Sequence, residues 1–433
     1  MFAHRSHASS RRGQAVELAK EAYAKLRAGV VGAAVKLATD ARALDPVGRE
    51  PAFAWMHAMG VSLLEDTGGA KEAVGFIDEA RRLGADGTDL GFCLLASAVA
   101  LRNDKLAARL VAQHESQSLA VDAYYALAHG AALDLNCDRG AADSYEASCN
   151  LWADAVLPRL RLSRAHLLRG RLAEARAAVQ SLPQDAIGRL VIEAAAQRLE
   201  DKRARASRFG SAALDEAPRS LRPVGLALLV QSDDPSAAID AALDDVDTPL
   251  AAIVCGKLAL IAGDAPSAEA AAKTAFRMRP ELSDAAAFAV KVALVRGDLD
   301  KARELAKTSS DSGVTTLVAA ISAYEDKAPE KIRESVEEAM DMDGAVWRVA
   351  SEARGVLGDG PAPVIAVSQG GSLPPLWAAL EEGEPWADVV MFDAAFSAGD
   401  LKTCQAVIDR WRELTKPREK RRALLLGKRA DIR

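Results

Sequence analysis

Aromatic residues and cysteines are both scarce in this sequence. It has 6 Trp, 5 Tyr and 9 Phe, which is 5% of 433 residues, and five cysteines. The cysteines are far apart, odd in number and without a CxxC pair, so neither a disulfide framework nor a zinc site is indicated. We expect reduced and mostly buried thiols at Cys93, Cys137, Cys149, Cys255 and Cys404.

Long apolar runs and a strong charge of one sign are also missing. No uninterrupted apolar stretch reaches the roughly 18 residues that a membrane span needs. The first residues, MFAHRSHASSRRGQ, are basic but lack the apolar core of a signal peptide, and they loosely resemble a transit peptide. The balance of 55 Lys+Arg against 61 Asp+Glu gives a formal net charge of −6, which favours no general binding to nucleic acid. A cytoplasmic protein is the simplest expectation.

Alanine is the residue in excess, with 91 of the 433 positions. Alanine is the best helix former and a poor strand former, so the composition argues against an all-β sandwich and, less strongly, against a large parallel sheet. The composition predicts helices that pack closely through small side chains.

The same local pattern, a helix, a glycine and a second helix, occurs four times. The clearest copy is LSRAHLLRGRLAEARAAVQSLP at 162–183, with its break at Gly170. Further copies occupy 255–280, 288–307 and 391–411. A chain of this length with such copies is better explained by one repeated unit than by several unrelated domains.

The spacing of one small residue supports the repeat. The alanine near the start of each second helix recurs at intervals of 34, then 31, then 34 residues, at Ala73, Ala107, Ala141, Ala175, Ala206, Ala237, Ala268 and Ala302. Pro218, Pro249 and Pro280 also step by 31, and Gly225 and Gly256 fall where two helices would cross. Helices approach closely only where a side chain is small, so these positions are predicted helix crossings.

The unit resembles the tetratricopeptide repeat (TPR) family, or a TPR-like helical repeat. The resemblance implies an all-α fold, an α-solenoid wound as a right-handed superhelix of about ten antiparallel helix pairs. The steps of 31 depart from the family's usual 34, so we expect helices there to be shortened by nearly a turn. No cofactor is implied.

The pattern predicts four segments. Residues 1–13 are expected to be a flexible arm and residues 14–310 the repeat array, with a first unit that ends at Asp45-Pro46. Residues 311–415 are predicted to be degenerate repeats with an irregular insertion at 358–375. Residues 416–433 form a basic tail.

The resemblance implies a binding groove lined by the first helix of each pair. The residue after the crossing position is basic in three units, and apolar residues surround it, which predicts a partner segment with acidic and apolar side chains. The alternative is an ordinary solvated helix surface. The predicted groove residues are Leu160, Arg161, Arg164, Leu167, Ile253, Lys257, Ile261, Phe288, Lys291 and Leu294.

The tail has eight basic residues against Glu419 and Asp431, while the rest of the chain is acidic. It is either a solvated helix end or a contact for an acidic partner or another anionic surface. Its basic residues include Lys416, Arg418, Lys420, Arg421, Arg422, Lys428 and Arg429.

Enzyme motifs are weak. Ala366-Val367-Ser368-Gln369-Gly370 resembles the GxSxG turn of a serine hydrolase, but all six histidines precede Ser368, whereas that fold places its catalytic histidine after the serine. No HExxH motif or phosphate-binding loop occurs, and His114 and His129 are expected at helix-packing positions.

These observations predict a non-enzymatic scaffold or adaptor that binds a partner protein or peptide as a component of a larger complex. The alternative is a peptide-sensing regulatory module that transmits a conformational change to a partner. A serine hydrolase that uses Ser368 is the remote alternative.

Overall fold

The computed structural model describes residues 2–65, 70–113, 119, 122–200, 214, 217–229, 235–262, 264–295 and 298–308. Within these ranges the chain is helical and has no β-strand, which confirms the predicted all-α fold. The helices are α1 (Phe2–Arg27), α2 (Val31–Leu44), α3 (Arg49–Glu65), α4 (Ala70–Arg82), α5 (Gly87–Ala100), α6 (Asp104–Gln113), α7 (Ala123–Leu135), α8 (Ala141–Leu151), α9 (Val156–Leu168), α10 (Leu172–Val179), α11 (Ile187–Glu200), α12 (Arg222–Leu228), α13 (Pro235–Asp244), α14 (Pro249–Ala262), α15 (Ala265–Met278), α16 (Ser283–Val295) and α17 (Leu299–Ala306).

The chain divides into two compact units, Met1–Ala262 and Gly263–Arg433. Helices α1 to α14 belong to the first unit and α15 to α17 to the second. The predicted array at 14–310 therefore contributes to both units.

Short turns join α1 to α2, α5 to α6, α7 to α8 and α9 to α10, so the two helices of each of these pairs run antiparallel. We call α1, α3, α5, α7, α9, α11, α12, α14 and α16 first helices, and α2, α4, α6, α8, α10, α13, α15 and α17 second helices. In the first unit α1 packs on α2 and α3, α3 packs on α5, and α5 packs on α7. This stacking of neighbouring pairs is the α-solenoid arrangement predicted from the repeat.

The predicted crossing alanines lie where the repeat places them. In the described part of the ladder, six alanines have no solvent exposure. Five of them stand three residues after the first residue of their helix, and the sixth opens α8. Ala206 and the side chain of Ala237 lie outside the described residues. The buried crossing positions are Ala73, Ala107, Ala141, Ala175, Ala268 and Ala302.

Glycines in several of the described helices permit a close approach of neighbouring side chains. A methyl group on Gly130 of α7 would lie 2.7 Å from the ring of Tyr145 on α8, and one on Gly225 of α12 would lie 2.5 Å from Leu214. A methyl group on Gly60 of α3 would overlap the ring of Phe92 on α5. The large ring or side chain of the neighbour fills the space that the glycine leaves.

Several helices start at a side-chain cap. Asp264 accepts a hydrogen bond from the Ser267 N–H at the start of α15, and Asp298 accepts one from Lys301 at the start of α17. Asn103 does the same before α6. Asp and Asn are preferred at this position because their side chains satisfy the unpaired N–H groups of the first turn.

The described turns of the pairs α1–α2, α5–α6, α7–α8 and α9–α10 each contain a residue with a positive φ, and only two of these residues are glycines. Gly29 and Gly170 have φ of 75° and 73°, as expected for a turn glycine. Arg102 and Cys137 occupy the same place in their own pairs with φ of 48° and 56°. A residue other than glycine can therefore form this turn, although the positive φ strains the backbone of Arg102 and Cys137.

The structure bears on three further predictions about where helices begin and end. Residues 2–13 are predicted to be a flexible arm. In the structure they form the first half of α1, which begins at Phe2. Where the repeat steps by 31, α12 has seven residues, but α11 and α14 have 14 each, so the helices there are not uniformly shortened as predicted. The first helix pair ends as predicted, with the last residue of α2 at Leu44, just before Asp45.

Candidate functional site

Helix α9 carries four of the predicted groove residues, and the structure buries all four. Leu160 is 3% exposed, Arg161 5%, and Arg164 and Leu167 have no exposure. Arg164 is the largest fully buried side chain of the described residues. A fully buried guanidinium must have partners inside the protein, because an unpaired buried charge is very costly.

The guanidinium of Arg164 forms ion pairs with two carboxylates. Its Nη1 lies 3.1 Å from Asp134 Oδ2 at the end of α7, and its Nη2 donates to Asp247 just before α14. Asp134 also accepts from Arg169 at 3.3 Å and lies 3.5 Å from the Tyr145 hydroxyl. One carboxylate therefore joins α7, α8 and α9.

Arg161 connects α9 to a more distant part of the chain. Its side chain donates to Glu65 Oε1 at 2.9 Å and to the Leu64 carbonyl at 2.6 Å, both at the end of α3. Burial alone would lower the pKa of the Arg161 guanidinium, but Glu65, with Tyr145 and Asp247 nearby, raises it above the usual range. Arg161 is therefore held charged as part of the interior.

We call Arg161, Arg164 and Arg169, together with Glu65, Asp134 and Asp247, the arginine network. The network joins α9 to residues that lie 96, 83 and 30 positions away in the sequence. Its three cations and three carboxylates balance. Buried ion pairs of this kind hold elements in one arrangement, and breaking one of them is strongly destabilising.

The burial of α9 corrects the groove prediction at four positions. Leu160, Arg161, Arg164 and Leu167 are covered by the chain's own residues and do not form a surface for a partner. The physical reason is that α9 also contacts α14, and Asp247 lies directly against Arg164.

The remaining groove residues divide between the two units. On α14, Ile253 is buried, whereas Lys257 and Ile261 are partly exposed and one helical turn apart. On α16, Phe288 is 3% exposed and therefore buried. The side chains of Lys291 and Leu294 lie outside the described residues, as do Ser368, the insertion at 358–375 and the basic tail with Lys416 through Arg429.

An aromatic cluster that the sequence did not predict lies on the first helices of the first unit. His57 of α3 stacks on Tyr124 of α7, with ring centroids 4.1 Å apart, and hydrogen-bonds the Tyr23 hydroxyl of α1 at 3.0 Å. Phe92 of α5 and Trp152 complete the cluster, at 5.7 Å from His57 and 4.6 Å from Tyr124 respectively. One sequence signal could have indicated this cluster: Tyr23 and His57 are 34 residues apart, which is the spacing of the repeat, but the predicted repeat follows the alanines.

Carboxylates stand close to this cluster. Asp89 Oδ1 lies 3.4 Å from His57 Nε2. Burial raises the pKa of the Tyr23 hydroxyl, and the charges of Asp89, Asp122 and Glu50 raise it further. Since Phe92, Tyr124 and Trp152 are all at most 9% exposed, the cluster packs four first helices together and is mainly part of the core.

No catalytic arrangement emerges from the described residues. His129 Nδ1 lies 3.0 Å from Ser144 Oγ, as a general base and nucleophile would, but Ser144 is only 1% exposed and also bonds the Gly140 carbonyl. A substrate cannot reach this hydroxyl. Among the residues that the structure describes, no three His, Cys, Asp or Glu side chains are grouped to hold a metal ion.

Thiol reactivity provides a direct check on the packing. Burial raises the pKa of Cys93 to about 12 and that of Cys255 to about 12, so roughly one thiol in ten thousand is ionised at pH 8. Cys137 is partly exposed in the turn after α7. We expect iodoacetamide at pH 8 to alkylate Cys137 at least about tenfold faster than Cys93 or Cys255.

Peptide mass spectrometry with time measures this difference, and the same reaction in concentrated urea is the control in which the rates should converge. Equal rates in the folded protein would contradict the described core. Cys93, Cys149 and Cys255 are buried, as expected for most of the thiols, and Cys404 lies outside the described residues.

None of the described helices is both long and apolar enough to cross a membrane.

No protein-family model matches the chain, and no curated protein matches it by sequence. Some solved structures have limited similarity to the chain. The chain in a crystal structure of the APC/C hetero-tetramer Cut9-Hcn1 is 12% identical with a TM-score of 0.38, over 95% of this chain and 89% of that one.

Yeast Tom70 is 12% identical with a TM-score of 0.35, over 97% of this chain and 89% of its own. The TPR domain of P58(IPK) is 14% identical with a TM-score of 0.25, over 84% of this chain and 99% of its own. These similarities are loose. The chain's own helix pairs, with buried alanines 34 residues apart, make its fold TPR-like.

Proposed function

We propose that this protein is a non-enzymatic scaffold or adaptor that binds a partner protein in the cytoplasm as a component of a larger complex. Stacked helix pairs offer a long surface for recognition, and the arginine network fixes the first helices relative to each other in the first unit. A fixed surface loses less conformational entropy on binding than a mobile one.

The observation that carries the proposal is the surface that remains on α14. Lys257 and Ile261 are partly exposed, and their spacing of four residues puts them on one face of the helix. A cation beside an apolar side chain suits a partner segment with acidic and apolar residues, because charge steers the approach and apolar contact adds affinity. The basic residues at 416–433 are proposed as a second contact for an acidic partner or another anionic surface.

The test is affinity purification of the full chain, with proteins quantified by mass spectrometry. We expect specific partners to co-purify with the unaltered chain, and we expect Lys257→Glu to reduce their recovery by about tenfold, since a rim charge reversal opposes an acidic segment. Lys105→Glu on α6 is the matched control, because Lys105 is exposed on a second helix. It should leave recovery unchanged.

The two parts of the proposal fail in different ways. Equal recovery with Lys257→Glu would overturn the position on α14 and leave the scaffold role intact. A full chain that purifies without any specific partner would overturn the scaffold role itself.

A further inference from the structure

Helix α1 extends beyond the helices that pack on it. The first buried residue among its described side chains is Ala15, and every residue from Ser10 to Gln14 is exposed. Arg12 Nε lies 3.3 Å from Asp45 Oδ2, in the turn between α2 and α3, so both of those helices end at about the level of Arg12. We call residues 2–14 the projecting segment, which is about 20 Å of helix.

The projecting segment is basic. The sequence before Glu17 has three arginines and two histidines, and it has no Asp, Glu or Lys. Asp45 pairs with Arg12 and Glu17 pairs with Lys20, so two arginine charges remain in excess. The Arg12 side chain is 72% exposed, and an exposed pair of this kind is weak enough to yield to another anion. This part of the surface therefore attracts an anionic partner, although the whole chain has a net charge of −6.

The basic positions of the projecting segment share one side of the helix. Successive residues of an α-helix are rotated by about 100°, which places the basic positions within an arc of about 160°. The other side has small uncharged residues. The basic positions are His4, Arg5, His7, Arg11 and Arg12, and the small ones include Ser6, Ser9, Ser10 and Gly13.

The composition of the segment selects the class of partner. A helix on a membrane surface needs a continuous apolar face, and a protein interface takes most of its affinity from a few large anchors. Phe2 is the only large apolar residue of the projecting segment. Arginine and serine are instead side chains that donate hydrogen bonds to the phosphate oxygens of nucleic acids.

The shape of the segment agrees with a groove in a nucleic acid. An α-helix with its side chains is about 10–12 Å wide, and the major groove of a DNA duplex is about 12 Å wide. The exposed run from Ser10 to Gln14 is longer than one helical turn, so the helix is uncovered on all sides there. The major groove of double-stranded RNA is too narrow for such a helix.

We propose that the projecting segment of α1 binds the phosphate backbone of double-stranded DNA from within the major groove, without selecting a sequence. Arg5, Arg11 and Arg12 pair with phosphates, and the serines add hydrogen bonds. This contact goes beyond the scaffold function, and it is separate from Lys257 on α14.

Fluorescence anisotropy tests the proposal with a labelled DNA duplex of about 20 base pairs, titrated with the full chain. We expect a dissociation constant on the order of 10 μM in about 25 mM KCl. The triple variant Arg5→Gln, Arg11→Gln, Arg12→Gln should bind about tenfold more weakly or worse. Since each phosphate contact releases about 0.9 counterions, the slope of log K against log salt should become shallower by about 2 to 3.

The matched control removes the same charge elsewhere. Lys36→Gln, Lys71→Gln, Lys105→Gln changes three exposed lysines on α2, α4 and α6, and it should alter the affinity by less than about twofold. Circular dichroism checks that both triple variants keep their helices. Both should remain folded, because all the described side chains that are changed lie on the surface.

Four results would overturn the proposal. The first is no binding to the duplex at low salt, and the second is an equal loss in the two triple variants, which would assign binding to net charge. The third is unchanged binding in the arginine variant, which would place the contact elsewhere, such as at 416–433. The fourth is displacement of the duplex by polyglutamate at equal charge, which would make the segment a contact for acidic proteins. Each of these results leaves the test of the scaffold with Lys257→Glu unaffected.

Discussion

Substitution of Arg164 by methionine is expected to lower the free energy of unfolding of the first unit by about 3–5 kcal/mol. Methionine fills much of the same volume but leaves Asp247 without its cation and leaves Asp134 with Arg169 as its remaining cation. Asp134 has a side chain that is only 3% exposed, so water cannot replace the lost partner. Removal of one member of a buried ion pair costs more than the pair itself contributes, because the remaining charge stays buried.

Urea unfolding followed by circular dichroism measures this loss. Arg159→Met is the matched control, because Arg159 lies on the same helix, is partly exposed and bonds only the Ala153 carbonyl among its described partners. It should change the free energy of unfolding by less than about 1 kcal/mol. If Arg164→Met were as mild as Arg159→Met, Arg164 would not be buried between the two carboxylates.

Gly130→Ala is expected to destabilise the first unit by about 1–3 kcal/mol, although alanine is the better helix former. The added methyl group would meet two atoms of the Tyr145 ring at 2.7 Å. Tyr145 has no exposure and bonds Asp134, so its ring has little room to move. The crossing of α7 and α8 must therefore widen.

Gly75→Ala provides the opposite case in the same protein. Gly75 lies within α4, and a methyl group there would have no atom within 4 Å. We expect this substitution to raise the free energy of unfolding by about 0.5–1 kcal/mol, the usual gain from replacing an exposed helical glycine. Effects of the same sign for Gly130→Ala and Gly75→Ala, measured in the same urea titrations, would contradict the close crossing at Gly130.

The helix pairs were predictable because they depend on residues close together in the sequence. A crossing alanine such as Ala107, a turn glycine such as Gly170 and a cap such as Asp298 each act within one pair. Their order and spacing therefore predict the pairs before any distant contact is considered. The same local rule misses the turns at Arg102 and Cys137, where a residue other than glycine adopts the positive φ.

The burial of the predicted groove residues Arg161 and Arg164 was not predictable from the same information. Arg161 and Arg164 occupy first-helix positions that face a partner in a regular array, and basic side chains usually remain in water. Their carboxylate partners are Glu65 and Asp247, 96 and 83 residues away. Nothing in a spacing of 34 or 31 predicts that α3, α9 and the start of α14 would meet around these arginines.

The central claim of this account is that α9 is joined to distant helices through its arginines and does not present them to a partner. A double-mutant cycle between Arg161→Met and Glu65→Gln tests the longest of these connections. The account predicts a coupling energy of about 1.5 kcal/mol or more, since the pair is buried and hydrogen-bonded at 2.9 Å. If the changes in the free energy of unfolding add within about 0.5 kcal/mol, the two residues act independently. That result would contradict the claim that Arg161 joins α9 to α3.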